Sequence, residues 1–326
     1  MNRILVTGAT GFTGSNLCRR LVAEGAAVRA LVRRTSRTEE LTSMGVERVV
    51  VDLSSADAIR GAMAGVSEVF HTAAAYRTEH ADQDEFKSVN VDATRRLLEA
   101  AFEHGVSRFL HCSTVGVQGH IEHPPAAESY RFNPGDHYQR TKLEGELIAR
   151  DFAARGHPVT VVRPVGIYGP GDTRFLKLFR SIARGRFRMI GSGRTLYHLT
   201  YVDDLIDGIL RAARSPKAIG EVFTIAGPRY TTLTELVNLI ADVLASPHPR
   251  GRIPFAPVYA TAVVCESVCR IVGVSPPLYP RRVEFFSKDR AFDTSKARRV
   301  LGFVPQVDLE SGLRRTAEWY RAQHLL

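Results

Sequence analysis

Tyr138 and Lys142 are the two residues whose types and spacing point most directly to chemistry. They occur four residues apart in the segment HYQRTKLEGE, so a helix there would carry both side chains on one face. A tyrosine hydroxyl so placed can exchange a proton with the oxygen of a secondary alcohol or ketone. Because the ordinary pKa of tyrosine is about 10, action near neutral pH requires a fall of roughly 3 units, worth about 4 kcal/mol. A lysine ammonium about one turn away supplies part of that bias, and we therefore interpret the two residues as a catalytic pair.

Two hydroxyl residues, Thr114 and Ser113, stand where a substrate oxygen could be held. They lie in the segment HCSTVG at the end of a predicted strand, 24 and 25 residues before Tyr138. A hydroxyl at that point can donate a hydrogen bond to the substrate oxygen and stabilise the charge that develops on it. We expect Thr114 to take this role first and Ser113 second. The alternative is that Tyr138 and Lys142 are ordinary surface residues, since the Y-x-x-x-K spacing also arises by chance.

A glycine-rich turn, TGATGFTG, follows the first predicted strand and opens a predicted helix. Glycine allows both a tight turn and the close approach of a phosphate. The amides at the start of the helix would face that phosphate, as in a dinucleotide-binding βαβ unit, and a cationic nicotinamide would add to the bias on Tyr138. A plain tight turn is the alternative. The residues of the turn that we expect to contact the cofactor are Gly8, Thr10, Gly11, Phe12, Thr13 and Gly14.

The end of the second predicted strand, VRALVRRTS, bears on the choice between NAD and NADP. Val32 occupies the position where an acidic residue would bind the adenosine ribose of NAD. Arg33 and Arg34 follow it and can pair with the 2′-phosphate of NADP, so the sequence favours NADP over NAD. Two surface arginines without a ligand are the alternative. We also expect residues at the ends of the third and fourth predicted strands to lie beside the cofactor. They are Asp52 and Leu53, and Ala73 and Ala74.

Short apolar β-rich segments alternate with helical patterns through the first 165 residues. The predicted strands are Ile4–Thr7, Ala27–Val32, Arg48–Val51, Glu68–His71, Arg108–Cys112 and Val159–Arg163. The predicted helices include Phe12–Glu24, Phe86–Gly105 and Tyr138–Arg155. This alternation, with continuous apolar runs such as RVVV, predicts an α/β fold built on a doubly wound parallel sheet.

The alternation ends after Arg163, where the segment IYGPGDTR is predicted to be a loop. Thr232 and Glu235 then form the pattern of a capping box at the start of a helix. The later predicted elements are the strand Val222–Ile225 and the helices Leu233–Leu244 and Ser311–Ala322. We expect a nucleotide-binding domain and a smaller C-terminal substrate-binding lobe. The domain comprises residues 1–165, with 199–227 returning to it, and the lobe comprises 166–198 and 228–326.

Charge and cysteine content narrow the classes of function. The formal net charge of +10 fits attraction for phosphate-bearing small molecules, or simply a basic surface. The basic residues are scattered rather than interleaved with aromatics in a block, so we expect no nucleic-acid partner. The 4 cysteines have no zinc-site spacing and no histidine cluster, so we expect no metal site. Their usage suits a reducing compartment, and we expect the protein to be cytoplasmic.

The sequence also bears on membrane contact. The N-terminus lacks a secretory pattern, and no uninterrupted apolar run reaches about 18 residues, so we expect no spanning helix. The segment IPFAPVYATAVVCESVCRIVGVSPPLYP is nevertheless apolar and bracketed by prolines. It could line an apolar substrate pocket, touch a membrane surface peripherally, or simply pack the C-terminal lobe.

These motifs together resemble the extended short-chain dehydrogenase/reductase superfamily, in its NAD-dependent epimerase/dehydratase branch. The likeness covers nearly the whole chain and includes NVDATRRLLEAA with Asn90, RPVGIYGPGD with Arg163, Pro164 and Tyr168, TYVDDLIDGIL with Asp203 and Asp204, and FDTSKARRVLGF. The resemblance implies a Rossmann-type domain with a small C-terminal substrate lobe. It implies that Asn90 and Pro164 belong to the cofactor site, and that Lys142 holds the nicotinamide ribose. It also implies a homodimer formed through Phe86–Gly105 and Tyr138–Arg155.

The resemblance leaves the small-molecule substrate open. In members similar to UDP-galactose 4-epimerase, an arginine before the V-x-D motif grips the substrate diphosphate. Tyr197 stands at that position here, and Arg194, Arg281 or Arg282 could substitute. The residues expected to bind substrate are therefore Tyr168, Arg194, Tyr197 and Arg282.

Three functions fit this sequence. The first, which we favour narrowly, is reversible hydride transfer on a nucleotide-activated sugar, as in an epimerase. The second is an NADP-dependent ketone reductase, or an enzyme similar to 3β-hydroxysteroid dehydrogenase or dihydroflavonol reductase, acting on an apolar substrate. The third is a regulatory protein with an inactive site, which an intact Tyr138 and Lys142 argue against. A dehydratase is disfavoured because STVGVQGH lacks the Asp-Glu pair usual in that class.

Overall fold

The computed structural model describes residues 3–76 and 83–326. In chain order the strands of these residues are β1 (Arg3–Thr7), β2 (Ala27–Val32), β3 (Glu47–Val50), β4 (Val66–His71), β5 (Arg108–Cys112), β6 (Val159–Pro164), β7 (Gly166–Tyr168), β8 (Met189–Ile190), β9 (Leu196–Tyr201), β10 (Val222–Ile225), β11 (Tyr230–Thr232) and β12 (Arg252–Ile253). The helices are α1 (Phe12–Ala23), α2 (Glu39–Ser43), α3 (Ala56–Ala62), α4 (Gln83–Lys87), α5 (Ala93–Glu103), α6 (His137–Ala154), α7 (Leu176–Ala183), α8 (Val202–Arg214), α9 (Leu233–Val243), α10 (Phe255–Val272), α11 (Pro280–Val283), α12 (Ser295–Leu301) and α13 (Leu309–Ala322).

A seven-stranded parallel sheet forms the centre of the fold, in the order β10-β6-β5-β4-β1-β2-β3. Strand β1 pairs with β2 on one side and with β4 on the other, so the strand order reverses there. Thr7 at the end of β1 aligns with Leu31 and with His71, which brings the carboxyl ends of three strands to one edge. Ligands of doubly wound sheets bind at such a reversal. The predicted α/β fold with a Rossmann-type parallel sheet is confirmed.

Residues of the strands alternate between two apolar cores on opposite faces of this sheet. In β1, Ile4 and Val6 pack on the face covered by α1 and α8, whereas Leu5 packs on the face covered by α3 and α5. Every residue of β6 is buried, as a strand covered on both faces requires. The sheet is therefore a rigid support for the loops at its carboxyl edge.

The segment predicted as one helix over 86–105 is interrupted. It consists of α4, a π-helical segment Ser88–Asp92, and then α5. The π-helical segment contains Asn90, which is buried and bonded to residues of other elements. Helical periodicity alone does not reveal a single π turn, which is frequent at functional sites.

Smaller sheets and helices build the C-terminal part of the molecule. Strands β11, β9 and β7 form one sheet, and β12 pairs with β8. The prediction of a loop over IYGPGDTR is wrong at its start, because β7 pairs in parallel with β9 before the chain turns. The capping box is half formed: Thr232 accepts a 3.1 Å bond from the Glu235 amide, but the Glu235 carboxylate binds Thr231 and Arg229.

Helix α10 differs from the other long helices because most of its surface is exposed. By length and composition it could cross a membrane, and only 6% of it is buried. Among the described residues no other helix is both long enough and apolar enough to do so. The expectation of no such helix rested on uninterrupted apolar runs, which Glu266 and Arg270 break.

Candidate active site

Helix α6 carries Tyr138 and Lys142 in its first turns. The side chain of Asp136 accepts a 2.8 Å hydrogen bond from the Gln139 amide and so caps the start of the helix. Tyr138 is half-buried, whereas Lys142 is only 2% exposed. The cap therefore fixes the turn from which the tyrosine hydroxyl extends.

The Lys142 ammonium is held against the central sheet. Its Nζ donates a 2.8 Å hydrogen bond to the carbonyl oxygen of Cys112, the last residue of β5. Burial lowers the pKa of Lys142, while Cys112 and the Glu146 carboxylate act in the opposite direction. The lysine is thus placed beside the strand end from which Ser113 and Thr114 follow.

The two hydroxyl residues after β5 have different surroundings. The Ser113 hydroxyl is buried and donates a 2.6 Å hydrogen bond to the Glu146 carboxylate. The Thr114 Oγ1 is half-buried and accepts a 3.1 Å bond from the Gly116 amide. The Thr114 hydrogen is thereby left for a further acceptor, whereas that of Ser113 is committed to a buried carboxylate. This placement favours Thr114 over Ser113 as a donor to substrate.

A buried ion pair lies one helical turn beyond Lys142. The Arg163 Nη2 and Nε contact the Glu146 carboxylate at 2.5 and 3.0 Å, and both side chains are almost fully inaccessible. Arg163 also donates to the carbonyl oxygen of Glu128. The sequence placed Arg163 in a motif but did not predict that it pairs with Glu146. The four-residue spacing of Glu146 after Lys142 was the available signal.

The glycine turn and the neighbouring strand ends enclose a cleft of 330 Å³. Gly8 has φ of +70°, and a Cβ there would lie 2.6 Å from the Ala73 amide nitrogen. A Cβ on Gly14 would lie 2.2 Å from the Gly8 carbonyl oxygen. The turn is therefore as tight as glycine permits, and it leads into the start of α1. A cleft lined by Gly8 and Gly11, next to the start of α1, is suited to a dinucleotide diphosphate.

One end of the cleft contains the residues that bear on NADP. Val32, Arg33 and Ser36 line it, and no acidic residue ends β2. The Arg33 side chain is exposed and lies 3.9 Å from the Glu85 carboxylate on α4. The Ser36 Oγ accepts a 3.1 Å bond from the Arg33 amide. Arg34 is exposed and does not line the cleft.

Half of the other residues predicted at the cofactor site line the same cleft. They are Gly8, Thr10, Gly11, Asp52, Leu53, Ala73 and Ala74. Phe12 instead lines an adjacent depression with Arg174, and Thr13 and Gly14 lie in the first turn of α1 outside the cleft lining. Tyr138 and Lys142 on α6 are also outside the set of residues that line this cleft. Sequence reasoning missed Ser36 and Glu85, whose places depend on how separate segments meet.

Asn90 and Pro164 do not line this cleft. The Asn90 side chain accepts from the Ala75 amide at 2.9 Å and donates to the Ala75 carbonyl and to Thr141 on α6. It therefore ties the loop after β4, in which Ala75 lines the cleft, to the helix that carries Tyr138. Pro164 is buried at the end of β6.

Aromatic side chains surround Tyr138. The Tyr76 ring meets it edge-on, with centroids 5.0 Å apart, and the Phe86 ring lies 6.4 Å away. Phe86 also contacts His137. Neither Tyr76 nor Phe86 was predicted to belong to the site, and the only signal was aromatic residues in segments flanking a predicted strand end.

Only two of the four residues predicted to bind substrate line a common cavity. Tyr168 and Tyr197 are buried and line a separate 120 Å³ cavity that shares no lining residue with the cofactor cleft. The Tyr197 hydroxyl donates to the Phe285 carbonyl and accepts from Arg290. Arg194 is exposed, and Arg282 donates to the Pro277 carbonyl. No group of three or more metal-ligating side chains occurs within the described ranges.

The glycine turn lies at the strand reversal, and a capped helix carries the tyrosine and the buried lysine. Together these features define an α/β enzyme of the nicotinamide-dependent, short-chain dehydrogenase/reductase type. The chain belongs to the NAD dependent epimerase/dehydratase family, whose model matches residues 4–226. The members are NAD-dependent epimerases, dehydratases and reductases.

The chain is similar over nearly its whole length to known proteins. It is 31% identical to sterol demethylase protein B of Methylococcus capsulatus, over 99% of this chain and 99% of that protein. It is 33% identical to the 2-alkyl-3-oxoalkanoate reductase of Stenotrophomonas maltophilia, over 96% and 98%. The dTDP-glucose 4,6-dehydratase DesIV from Streptomyces venezuelae, solved with NAD and TYD bound, matches with a TM-score of 0.80 at 26% identity, over 99% and 98%.

Proposed function

We propose that this enzyme transfers a hydride reversibly at a secondary alcohol or ketone carbon of an apolar substrate, with NADP favoured over NAD. The observation that carries the proposal is the placement of Tyr138 and Lys142 on the capped end of α6, with Lys142 bonded to the end of β5. A dinucleotide-shaped cleft opens at the carboxyl ends of the neighbouring strands.

Each residue has a defined part in this proposal. A nicotinamide nucleotide, when bound, supplies or accepts the hydride. The Tyr138 hydroxyl gives a proton to the ketone oxygen during reduction and takes it back from the alcohol during oxidation. The Thr114 hydroxyl donates a hydrogen bond to the same oxygen. The Lys142 ammonium favours the ionised tyrosine and holds the ribose hydroxyls.

The preference for NADP rests on the residues after β2. Arg33 carries a charge-assisted donor at the cleft, and Val32 provides no carboxylate to repel a 2′-phosphate. A phosphate would compete with Glu85 for Arg33, since the existing contact is 3.9 Å long and well exposed.

Two observations support an apolar substrate over a nucleotide sugar. Tyr197 replaces the arginine expected to grip a diphosphate, and its hydroxyl is already occupied by Phe285 and Arg290. The relatives at 31% and 33% identity are named for a sterol and for an alkyl oxoalkanoate, both largely apolar.

A nucleotide sugar is the second candidate, and the likeness to DesIV favours it. An exposed Arg194 could then meet a diphosphate. The test is to incubate purified enzyme with NADPH and a panel of apolar ketones and nucleotide sugars. Net consumption of NADPH with an apolar ketone, abolished in Tyr138→Phe while NADPH binding is kept, supports the proposal. Sugar epimerisation without net consumption, together with tightly bound NAD on denaturation, would refute it.

We also propose that the enzyme is a cytoplasmic homodimer formed through α5 and α6. Leu147 on α6 is 46% exposed, and Leu143 beside it is partly exposed, so this face offers apolar contact area. Light scattering of the wild type and of Leu147→Glu tests the assembly, with a shift to monomer expected for the variant.

A further inference from the structure

We propose that α10 docks the enzyme onto the surface of an anionic phospholipid bilayer, with its exposed apolar stripe in the interfacial region. The stripe consists of Val264, Val268 and Ile271, with Val272 and Val274 continuing it. The proposal concerns binding rather than turnover, and it does not depend on the substrate assigned above.

The stripe has the spacing of one helix face. Val264, Val268 and Ile271 are separated by four and three residues, which places them in line along the helix. Their exposed fractions are 62%, 51% and 86%. Val272 is the last residue of the helix, and Val274 continues the exposed surface just past Gly273. A contiguous apolar surface of this kind marks an interaction site rather than ordinary surface variation.

Charge around the stripe complements an anionic surface. Between residues 246 and 282 the acidic residues are limited to Glu266, which lies on the opposite side of the helix from Val264. Of the five arginines in the same segment, Arg270 lies on the same side of the helix as Glu266, and Arg281 is paired with Asp136. The remaining arginines, Arg250, Arg252 and Arg282, are exposed. A basic segment beside exposed apolar side chains is typical of helices that lie in the interface of anionic membranes. A second copy of the same positive surface would be repelled.

Both ends of α10 are fixed to the same lobe. Strand β12, just before the helix, pairs with β8, and Ala262 in the middle of the helix is fully buried. After the helix, α11 packs against it. A helix anchored in this way lies on a membrane rather than crossing it, because crossing would require its ends to separate from the lobe.

The proposed membrane-facing surface is connected to the active-site helix. Arg281 on α11 forms an ion pair with Asp136, the residue that caps α6. Docking through α10 would therefore place the start of α6, which carries Tyr138, on the membrane-facing side of the molecule.

Vesicle flotation tests the proposal with the full chain. Vesicles of phosphatidylcholine alone are compared with vesicles of phosphatidylcholine and phosphatidylglycerol in equal amounts. The wild type is expected to float with the anionic vesicles and to be released by salt, since each arginine near an anionic surface strengthens partitioning about fivefold. The triple variant Val264→Ser, Val268→Ser, Ile271→Ser is expected to bind at least about tenfold more weakly.

Two further variants separate charge from the apolar stripe. The double variant Arg250→Gln, Arg252→Gln is expected to lose binding to anionic vesicles by roughly tenfold or more. The matched control is Val50→Ser with Val304→Ser, two exposed valines elsewhere (61% and 47%), which should bind like the wild type. Thermal unfolding and NADPH binding report whether each variant is folded.

Three outcomes overturn the proposal. They are absence of wild-type flotation, equal binding to neutral and anionic vesicles, and a stripe variant that changes the molar mass in solution without any vesicle binding. The last result would assign the stripe to a contact between copies of the chain. Because flotation requires no turnover, failure of the proposed reaction would leave this result intact.

Discussion

The Lys142 ammonium donates a 2.8 Å hydrogen bond to the carbonyl oxygen of Cys112. This bond joins the helix that carries Tyr138 to the end of β5, two residues before Thr114. The proposed proton-exchanging hydroxyl and the proposed hydrogen-bond donor are thereby held on two elements that this bond connects. The arrangement makes the lysine both a source of charge and a link between them.

Removing the tyrosine hydroxyl should abolish proton exchange while leaving the cleft intact. We expect Tyr138→Phe to lower kcat/KM by about a thousandfold or more with an unchanged dissociation constant for NADPH. Lys142→Met should lower kcat/KM by about a hundredfold or more and also weaken NADPH binding. Arg140→Met, on the exposed side of the same helix, is the matched control. Wild-type activity in Tyr138→Phe would remove this residue from the mechanism.

The glycine turn can be tested with two glycines of similar backbone conformation. Gly8 and Gly25 have φ of +70° and +81°, but a Cβ on Gly8 meets the Ala73 backbone and one on Gly25 meets nothing. We expect Gly25→Ala to lower the free energy of unfolding by about 1 kcal/mol through backbone strain alone. Gly8→Ala should lower it by roughly 3 kcal/mol and also abolish cofactor binding. Titration with NADPH and urea denaturation measure both effects, and equal losses in the two variants would contradict the close approach.

The basic residues after β2 should decide between the two cofactors. Arg33→Glu is expected to raise KM for NADPH by about tenfold to a hundredfold and to leave KM for NADH the same or lower. Glu85→Gln removes the competing carboxylate and should lower KM for NADPH. Arg34→Glu reverses an adjacent charge outside the cleft lining and serves as the control. Equal effects at Arg33 and Arg34 would show a general surface field instead of a phosphate contact.

The buried ion pair behind the site should be important for stability. Glu146→Gln leaves Arg163 without its counter-charge and should lower the free energy of unfolding by about 3 to 5 kcal/mol. The double variant Glu146→Leu, Arg163→Met should recover most of that loss, because both charges are then absent. Asp151→Asn breaks the exposed pair with Arg155 and should change stability by less than about 1 kcal/mol. Urea denaturation compares the three, and a small effect of Glu146→Gln would show that water reaches the pair.

Two buried histidines should make the fold sensitive to acid. Burial, with the charge of Lys142 acting in the same direction, lowers the pKa of His71 to about 3, and burial holds the pKa of His111 well below its ordinary value. The unfolded chain takes up these protons near pH 6.5, whereas the folded protein does not. The contribution of these histidines to the free energy of unfolding is therefore fully present above about pH 6.5. It is lost as the pH falls toward 3, by up to about 1.4 kcal/mol per pH unit for each histidine.

Replacing one of these histidines isolates its share of the acid effect. The two ring nitrogens of His111 have no hydrogen-bond partner among the described residues, so His111→Phe breaks no hydrogen bond with them. Between about pH 6 and pH 4 we expect the free energy of unfolding of this variant to fall less steeply with pH. The difference in slope should correspond to roughly one proton, or about 1.4 kcal/mol per pH unit. His123→Asn, at an exposed position, is the control. An unchanged slope in His111→Phe would show that this ring is protonated in the folded protein.

Local patterns in the sequence were sufficient for the fold class and for many element bounds. Strands β2 and β5 have the predicted bounds, because apolar runs between turn residues fix short buried strands. The predicted helix over 86–105 failed at the π-helical segment around Asn90. That segment is stabilised by bonds to Ala75 and Thr141, which lie on other elements.

The sequence by itself determined which side chains share a helix face, and where a glycine turn follows a strand, because these properties depend on neighbours within about one turn or one strand. Tertiary structure alone decided which partners those side chains meet. Ser113 is occupied by a carboxylate 33 residues away, and the hydroxyl of Tyr197 by a carbonyl 88 residues away. It also left the stripe of α10 exposed, since packing against the rest of the lobe, and not apolar content, determines which face of a helix is buried.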